Sequence, residues 1–190
     1  MTITKTSLPQ VLLIQPKKFK DERGWFMESF RLDLLEKALG HSINFCQENQ
    51  ALSSFGVIRG LHYQMPPFAQ SKLVSVLIGK VLDVVVDIRK GSPHFGMHFA
   101  AELSSENQKQ LFIPRGFAHG YACLSESAVF SYKVDNHYQK NTEASIGFDD
   151  ISLSIDWQIP TEKQILSSKD RQNPSLDNAQ HFDYSQELYD

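Results

Sequence analysis

Between residues 11 and 149 the chain alternates short β-type runs with turn residues, and that rhythm leaves few folds open. Runs at 11–15, 25–30, 43–47, 57–63, 73–78, 81–88, 96–103, 109–113, 119–124, 128–134 and 146–149 are rich in branched and aromatic residues. Turn chemistry interrupts them at 91–93 (GSP), 104–107 (SSEN) and 114–116 (PRG). Gly79 and Lys80, between two apolar runs, read as a two-residue hairpin. In the second of those runs Val84, Val86 and Ile88 share one face, and Asp83, Val85 and Asp87 the other. One helix is expected, over 31–39, where Leu32, Leu35 and Leu39 fall on one side and Gly40 closes the end. Many short strands with one or two short helices predict an all-β sandwich or barrel.

The 190 residues suit one core, so a single domain over 1–190 is expected, with 171–190 as a surface tail docked on the body or on a partner subunit. A net charge of −3 argues against nucleic acid, which calls for a basic stripe, but says little about a small anion held inside a pocket. No apolar run is long enough for a membrane span, and no secretory leader is visible. Cys46 and Cys123 stand among apolar neighbours and read as free, buried and inert, which fits a reducing cytoplasm.

Several polar side chains fall inside these strand-like runs. Alternation puts Gly60, His62 and Gln64 on one face of 57–64, with Arg59 close by and Lys72 at the head of the next run. Each has a bland role: a core histidine, or a lysine whose stem snorkels to water. Together they suggest a barrel interior that holds a ligand. A carboxylate would orient His62 as a base, and Asp83, Asp87, Glu143 and Asp170 all qualify on chemistry. Turned inward, Lys72 offers a fixed cation to an enolate oxygen. Tyr132 shares a face with Phe130 and Val134; inside a polar pocket its phenol, protonated at neutral pH, can act as a proton donor. His119 lies between Ala118 and Gly120, whose small size leaves room for a ligand, and Arg23 sits in a turn where it can contact phosphate. There is no His-x-His pair, dinucleotide fingerprint, P-loop or Gly-x-Ser-x-Gly, so neither a metal nor a cofactor is expected.

Six segments then carry a resemblance: FKDERG (19–24), RGLHYQ (59–64), QSKLV (70–74), DIRKGSP (87–93), IPRGFAHG (113–120) and LSSKD (166–170). In this order they resemble the dTDP-4-dehydrorhamnose 3,5-epimerase family, of cupin-like jelly-roll fold, from about residue 10 to Leu176. The resemblance implies a metal-free reaction on a dTDP-linked 4-keto-6-deoxy sugar. It makes His62 the base, Asp170 its carboxylate partner, Lys72 the stabiliser of the enolate and Tyr132 the acid on the opposite face. It further implies that Arg59, His119, Gln47, Asn49 and Glu143 line the pocket. Arg23, Glu28 and Phe19 would reach the nucleotide, partly across a homodimer formed by exchanged N-terminal strands. His137 stands where the family has the first of two adjacent tyrosines, at a position that stacks on the base. Ser71 stands where glycine is common, and Phe148 where tryptophan is frequent. Three alternatives share these residues: a single-carbon epimerase, a non-catalytic sugar-nucleotide binder and a metal-dependent cupin.

Overall fold

The computed structural model describes residues 1–189. The chain opens with β1 (Thr2–Lys5), β2 (Leu12–Gln15), and a hairpin of β3 (Lys18–Asp21) with β4 (Gly24–Met27). Helix α1 (Leu32–Leu39) follows, ended by Gly40 in the left-handed conformation with φ 81°. Next come β5 (Gln47–Ser54), β6 (Ile58–Gln64), β7 (Lys72–Ile78), β8 (Lys80–Asp87), β9 (Arg89–Lys90) and β10 (His98–Ser104). After them run β11 (Gln110–Ile113), β12 (Phe117–Cys123), β13 (Ser127–Val134), β14 (Glu143–Ser145) and β15 (Phe182–Asp183).

Two antiparallel sheets form the expected sandwich, in the orders β1-β2-β11-β7-β13-β5 and β10-β8-β12-β6-β14. Val74, Val76 and Phe130 of the first meet Val81, Val85, Leu103 and Tyr121 of the second. The outer face of the second sheet is covered too. Leu82, Val84, Val86 and Ile88 pack there with Leu153, Trp157, Leu176 and Phe182 from the C-terminal third. A strand buried on both faces reads as a continuous apolar run, which is why β8 shows so little polar alternation.

Three sequence readings need correction. The runs flanking Gly79 are not a hairpin, because β7 and β8 belong to different sheets. Gly79 is instead a corner with φ 78°, packed so closely that a Cβ would lie 2.0 Å from the Ser127 carbonyl oxygen. A positive-φ glycine between two apolar runs serves a hairpin and a sheet-to-sheet corner alike; only distant partners decide. Cys46 is exposed, not buried: alternation turns Ile43 and Phe45 toward the helix-capped cluster and Cys46 away from it. The strand expected at 146–149 lies at 143–145, and that expected at 43–47 begins only at Gln47. The stretch 171–189 lies docked on the body, with Leu176 and Phe182 buried and Phe182 paired in parallel with Arg89.

Candidate active site

One cavity of about 310 Å³ opens between the sheets, and the two sheets furnish different chemistry to it. β6 and β12 supply Arg59, His62, His119 and Tyr121 from one side. β7 and β13 supply Lys72, Phe130 and Tyr132 from the other. Ser167, Lys169 and Asp170 arrive on the covering segment.

Arg59 and His62 are three apart, so plain alternation would set them on opposite faces. A bulge removes the conflict. His62 pairs with His119 and Arg59 with Tyr121, so three steps along β6 match two along β12. The bulge needs glycine on both strands: a Cβ on Gly60 would lie 2.5 Å from the Gly120 Cα, and one on Gly120 would lie 2.7 Å from the Arg59 carbonyl oxygen. Arg59 is then steered by Ser53, whose Oγ accepts from Nε at 3.2 Å and lies 3.0 Å from the Tyr121 hydroxyl.

Of the four carboxylates left open by the sequence, Asp170 is the one beside His62, with Oδ1 2.6 Å from Nε2. Ser167 donates to the other oxygen at 2.7 Å. Burial alone would raise the Asp170 carboxyl, but the hydrogen bonds from His62 and Ser167 outweigh it and hold it below its ordinary value. An anionic acceptor at Nε2 fixes the proton there and leaves Nδ1 as the basic nitrogen. Asp83 is spoken for by His119, whose Nε2 lies 2.9 Å from Oδ2. Burial lowers the His119 pKa despite that carboxylate, so His119 is neutral. Asp87 holds Arg89 at 2.6 Å, and Glu143 holds Lys169 at 2.5 Å and accepts the Tyr138 hydroxyl at 3.0 Å.

Lys72 does not snorkel. It is 9% exposed, and its ammonium donates to the His62 carbonyl oxygen at 3.1 Å. Burial drives its pKa down to about 8, with Asp83 and Glu143 opposing. Desolvation raises the Tyr132 phenol above its ordinary value, so it keeps its proton at neutral pH. Asn49 pairs with Tyr132 across β5 and β13, and Gln47 donates to Asn49 at 2.9 Å, but neither of these two expected pocket residues lines the cavity.

The remaining candidates are elsewhere. Phe19, Arg23 and Glu28 lie on or beside the β3–β4 hairpin, outside the cavity; Arg23 pairs with Asp21 at 2.6 Å and Glu28 with Arg31 at 3.3 Å. His137 is exposed, and its neighbour Tyr138 lines the cavity instead. Sequence reasoning passed over Tyr138, Lys169 and Tyr121. Lys169 lies inside the LSSKD segment, and its ion pair with Glu143, which marks it as a cavity residue, forms only in the fold. Tyr121 sits two residues beyond His119 on the same strand face.

A histidine tied to a carboxylate, a buried ammonium and a protonated phenol around one cavity on a two-sheet β scaffold are the groups that acid–base chemistry uses. The sequence model of dTDP-4-dehydrorhamnose 3,5-epimerase matches residues 5–178. A Shigella flexneri protein of that name is 48% identical over 96% of this chain and 99% of its own length. Two crystal structures are close. The Elizabethkingia anophelis dTDP-4-dehydrorhamnose 3,5-epimerase is 50% identical with a TM-score of 0.89, covering 92% of this chain and 96% of that one. The Legionella pneumophila dTDP-6-deoxy-D-glucose-3,5-epimerase, solved in complex with dTDP-4-keto-L-rhamnose, is 44% identical with a TM-score of 0.92, covering 97% and 99%. The chain therefore belongs to the dTDP-4-dehydrorhamnose 3,5-epimerase family: it is an isomerase, and its sandwich is the cupin-type jelly roll of that family.

Proposed function

We propose that this protein inverts C3 and C5 of dTDP-4-keto-6-deoxyglucose, with His62 as base, Tyr132 as acid and Lys72 as the cation at the C4 oxygen. The observation that carries the assignment is the placement of His62 and Tyr132 on facing sheets around one cavity, with Lys72 between them in sequence and beside His62 in space. A hydrogen next to a ketone is too weakly acidic for imidazole to remove unaided, so the negative charge must be met as it forms. His62 Nδ1 takes the proton, the C–H electrons pass into an enolate, and the Lys72 ammonium stabilises its oxygen. Tyr132 then returns a proton from the opposite face, which inverts the carbon. Both groups re-equilibrate with solvent, and the cycle repeats at the second carbon. Asp170 stabilises the imidazolium formed in each cycle, while Arg59, with neutral His119 nearby, suits the diphosphate and sugar. Glu143 completes the pocket wall, while Asn49 supports Tyr132 from the neighbouring strand and Gln47 supports Asn49.

The substrate named for the Legionella relative supports the nucleotide-sugar class. In this reading the β3–β4 hairpin serves a second copy of the chain. Among the described residues its strands form a two-stranded sheet of their own and expose Phe19, Trp25 and Phe26, which suits an arm that carries Phe19, Arg23 and Glu28 toward the partner's nucleotide.

Incubation with dTDP-4-keto-6-deoxyglucose in deuterated water tests the reaction. Deuterium is expected at both C3 and C5, and His62→Ala is expected to lose exchange by at least about 10²-fold while keeping dTDP affinity. Label at a single carbon would make the enzyme a monoepimerase instead.

A further inference from the structure

We propose that the C-terminal segment acts on catalysis through Tyr189, whose hydroxyl grips Ser71, the residue directly before Lys72, and so fixes where the Lys72 ammonium sits. The inference rests on the function proposed above and adds a positioning residue to it. The Tyr189 hydroxyl accepts the Arg115 backbone N–H at 2.9 Å and lies 2.8 Å from Ser71 Oγ. With one donor already pointing at its oxygen, the phenol is free to give its own proton to Ser71. The Ser71 backbone N–H donates to Asp135 Oδ1 at 2.6 Å, and Asp135 Oδ2 accepts from Arg115 Nε at 3.1 Å. Arg115 also donates to the Leu188 carbonyl, which draws the chain end into the same cluster. The Tyr189 ring is held by His41, 4.4 Å between centroids, and by the Arg115 guanidinium at 5.0 Å.

None of these residues lines the catalytic cavity; Arg115, His41 and Tyr189 line a separate one. Their connection to the chemistry is through the backbone. Lys72 opens β7 and pairs with Val134 at the end of β13, the strand that also carries Tyr132. Ser71 and Asp135 are the residues just outside that pair, so the cluster closes the end of the ladder where fraying would release Lys72. A four-carbon side chain aimed at a carbonyl 3.1 Å away tolerates little movement at its root. A serine at 71 is required for this contact, since a glycine there offers no hydroxyl.

Tyr189→Phe keeps the ring and removes only the hydroxyl. We expect kcat to fall about tenfold with KM changed less than about twofold. Ser71→Ala should show the same deficit, and the double variant should be no worse than either single one. Independently of turnover, NMR of ¹³Cε-labelled lysine should place the Lys72 titration near 8 in the unaltered protein and higher in Tyr189→Phe, as water reaches the amine. Unchanged kcat and an unmoved Lys72 titration in both variants, whatever their melting temperatures, would reduce Tyr189 to a structural contact. Deficits that simply add in the double variant would equally overturn the latch. An unaltered protein that exchanges no deuterium sinks the proposed reaction alone, and the lysine titration still decides the latch.

Discussion

Lys72 pays for its place in the cavity with stability. Its pKa of about 8 in the folded chain lies well below the ordinary 10.5, because burial penalises the charged form. At neutral pH that difference amounts to destabilisation on the order of 3 kcal/mol. The sign follows from proton counting. Between about pH 8 and 10.5 the unfolded chain holds the Lys72 proton and the folded chain does not, so this group's contribution to stability rises with pH across that window. Lys72→Met should therefore abolish deuterium exchange yet raise the melting temperature at pH 7 by roughly 6–12 °C, and calorimetry should find the gap closing as pH approaches 10.5. The rate runs the other way: kcat should decline as pH rises through about 8, where the ammonium loses its proton. A melting temperature lowered at pH 7 would show the buried ammonium to be stabilising. At this scale the sequence was informative where chemistry is local. Lys72 and Tyr132 were legible because long polar side chains recur in strand-like runs. The partner of His62 was legible only through the resemblance: chemistry left four carboxylates open, because Asp170 lies 108 positions away, at the start of a single 3-10 turn that tertiary packing brings home.

At the scale of the element, β6 works because it departs from a regular strand. Ideal alternation would send Arg59 and His62 to opposite faces, and the bulge opposite β12 brings both to the cavity. The sequence carried the means, in Gly60 and Gly120, but not the register, since glycines 60 positions apart become partners only when the sheet forms. The same limit explains the misread corner at Gly79, where local residues are those of a hairpin and the strands beyond it join different sheets. Gly60→Ala tests the bulge directly. With φ 136° and only 2.5 Å to the Gly120 Cα, the added methyl meets backbone and cannot be accommodated by a rotamer. The expected cost is about 3 kcal/mol, read as a lower urea midpoint, together with weaker dTDP binding as Arg59 turns away. Unchanged dTDP affinity in a folded Gly60→Ala variant would mean that the bulge does not aim Arg59.

On the scale of the whole molecule, the all-β architecture was legible from strand length and turn spacing, whereas the two-sided burial of the second sheet was not. Residues 150–189 hold only short 3-10 turns and the two-residue β15, yet Leu153, Trp157, Leu176 and Phe182 cover that sheet and the same stretch delivers Asp170. Irregular backbone shows no hydrophobic period to read. The opposite end of the chain presents the converse: regular structure whose large aromatic side chains stay exposed. The β3–β4 hairpin leaves Phe19 51%, Trp25 53% and Phe26 67% exposed, with Lys18 of the same hairpin over the Trp25 ring at 4.9 Å. Three large aromatics on one short hairpin are hard to reconcile with a free surface. If the arm reaches a second copy, sedimentation should give about twice the 21.6 kDa chain mass. Arg23 pairs only with Asp21 in its own chain, in the open, where such a pair contributes little. Arg23→Ala should therefore leave the fold and the dimer intact but weaken dTDP binding about tenfold, as loss of one charge-assisted phosphate contact does. A mixed dimer, in which one copy carries Arg23→Ala and the other His62→Ala, separates the two geometries. If the arm serves the partner's pocket, both defects fall on the same site and the other site keeps full dTDP affinity and exchange. If the arm folds back on its own chain, each site carries one defect and no unimpaired site remains.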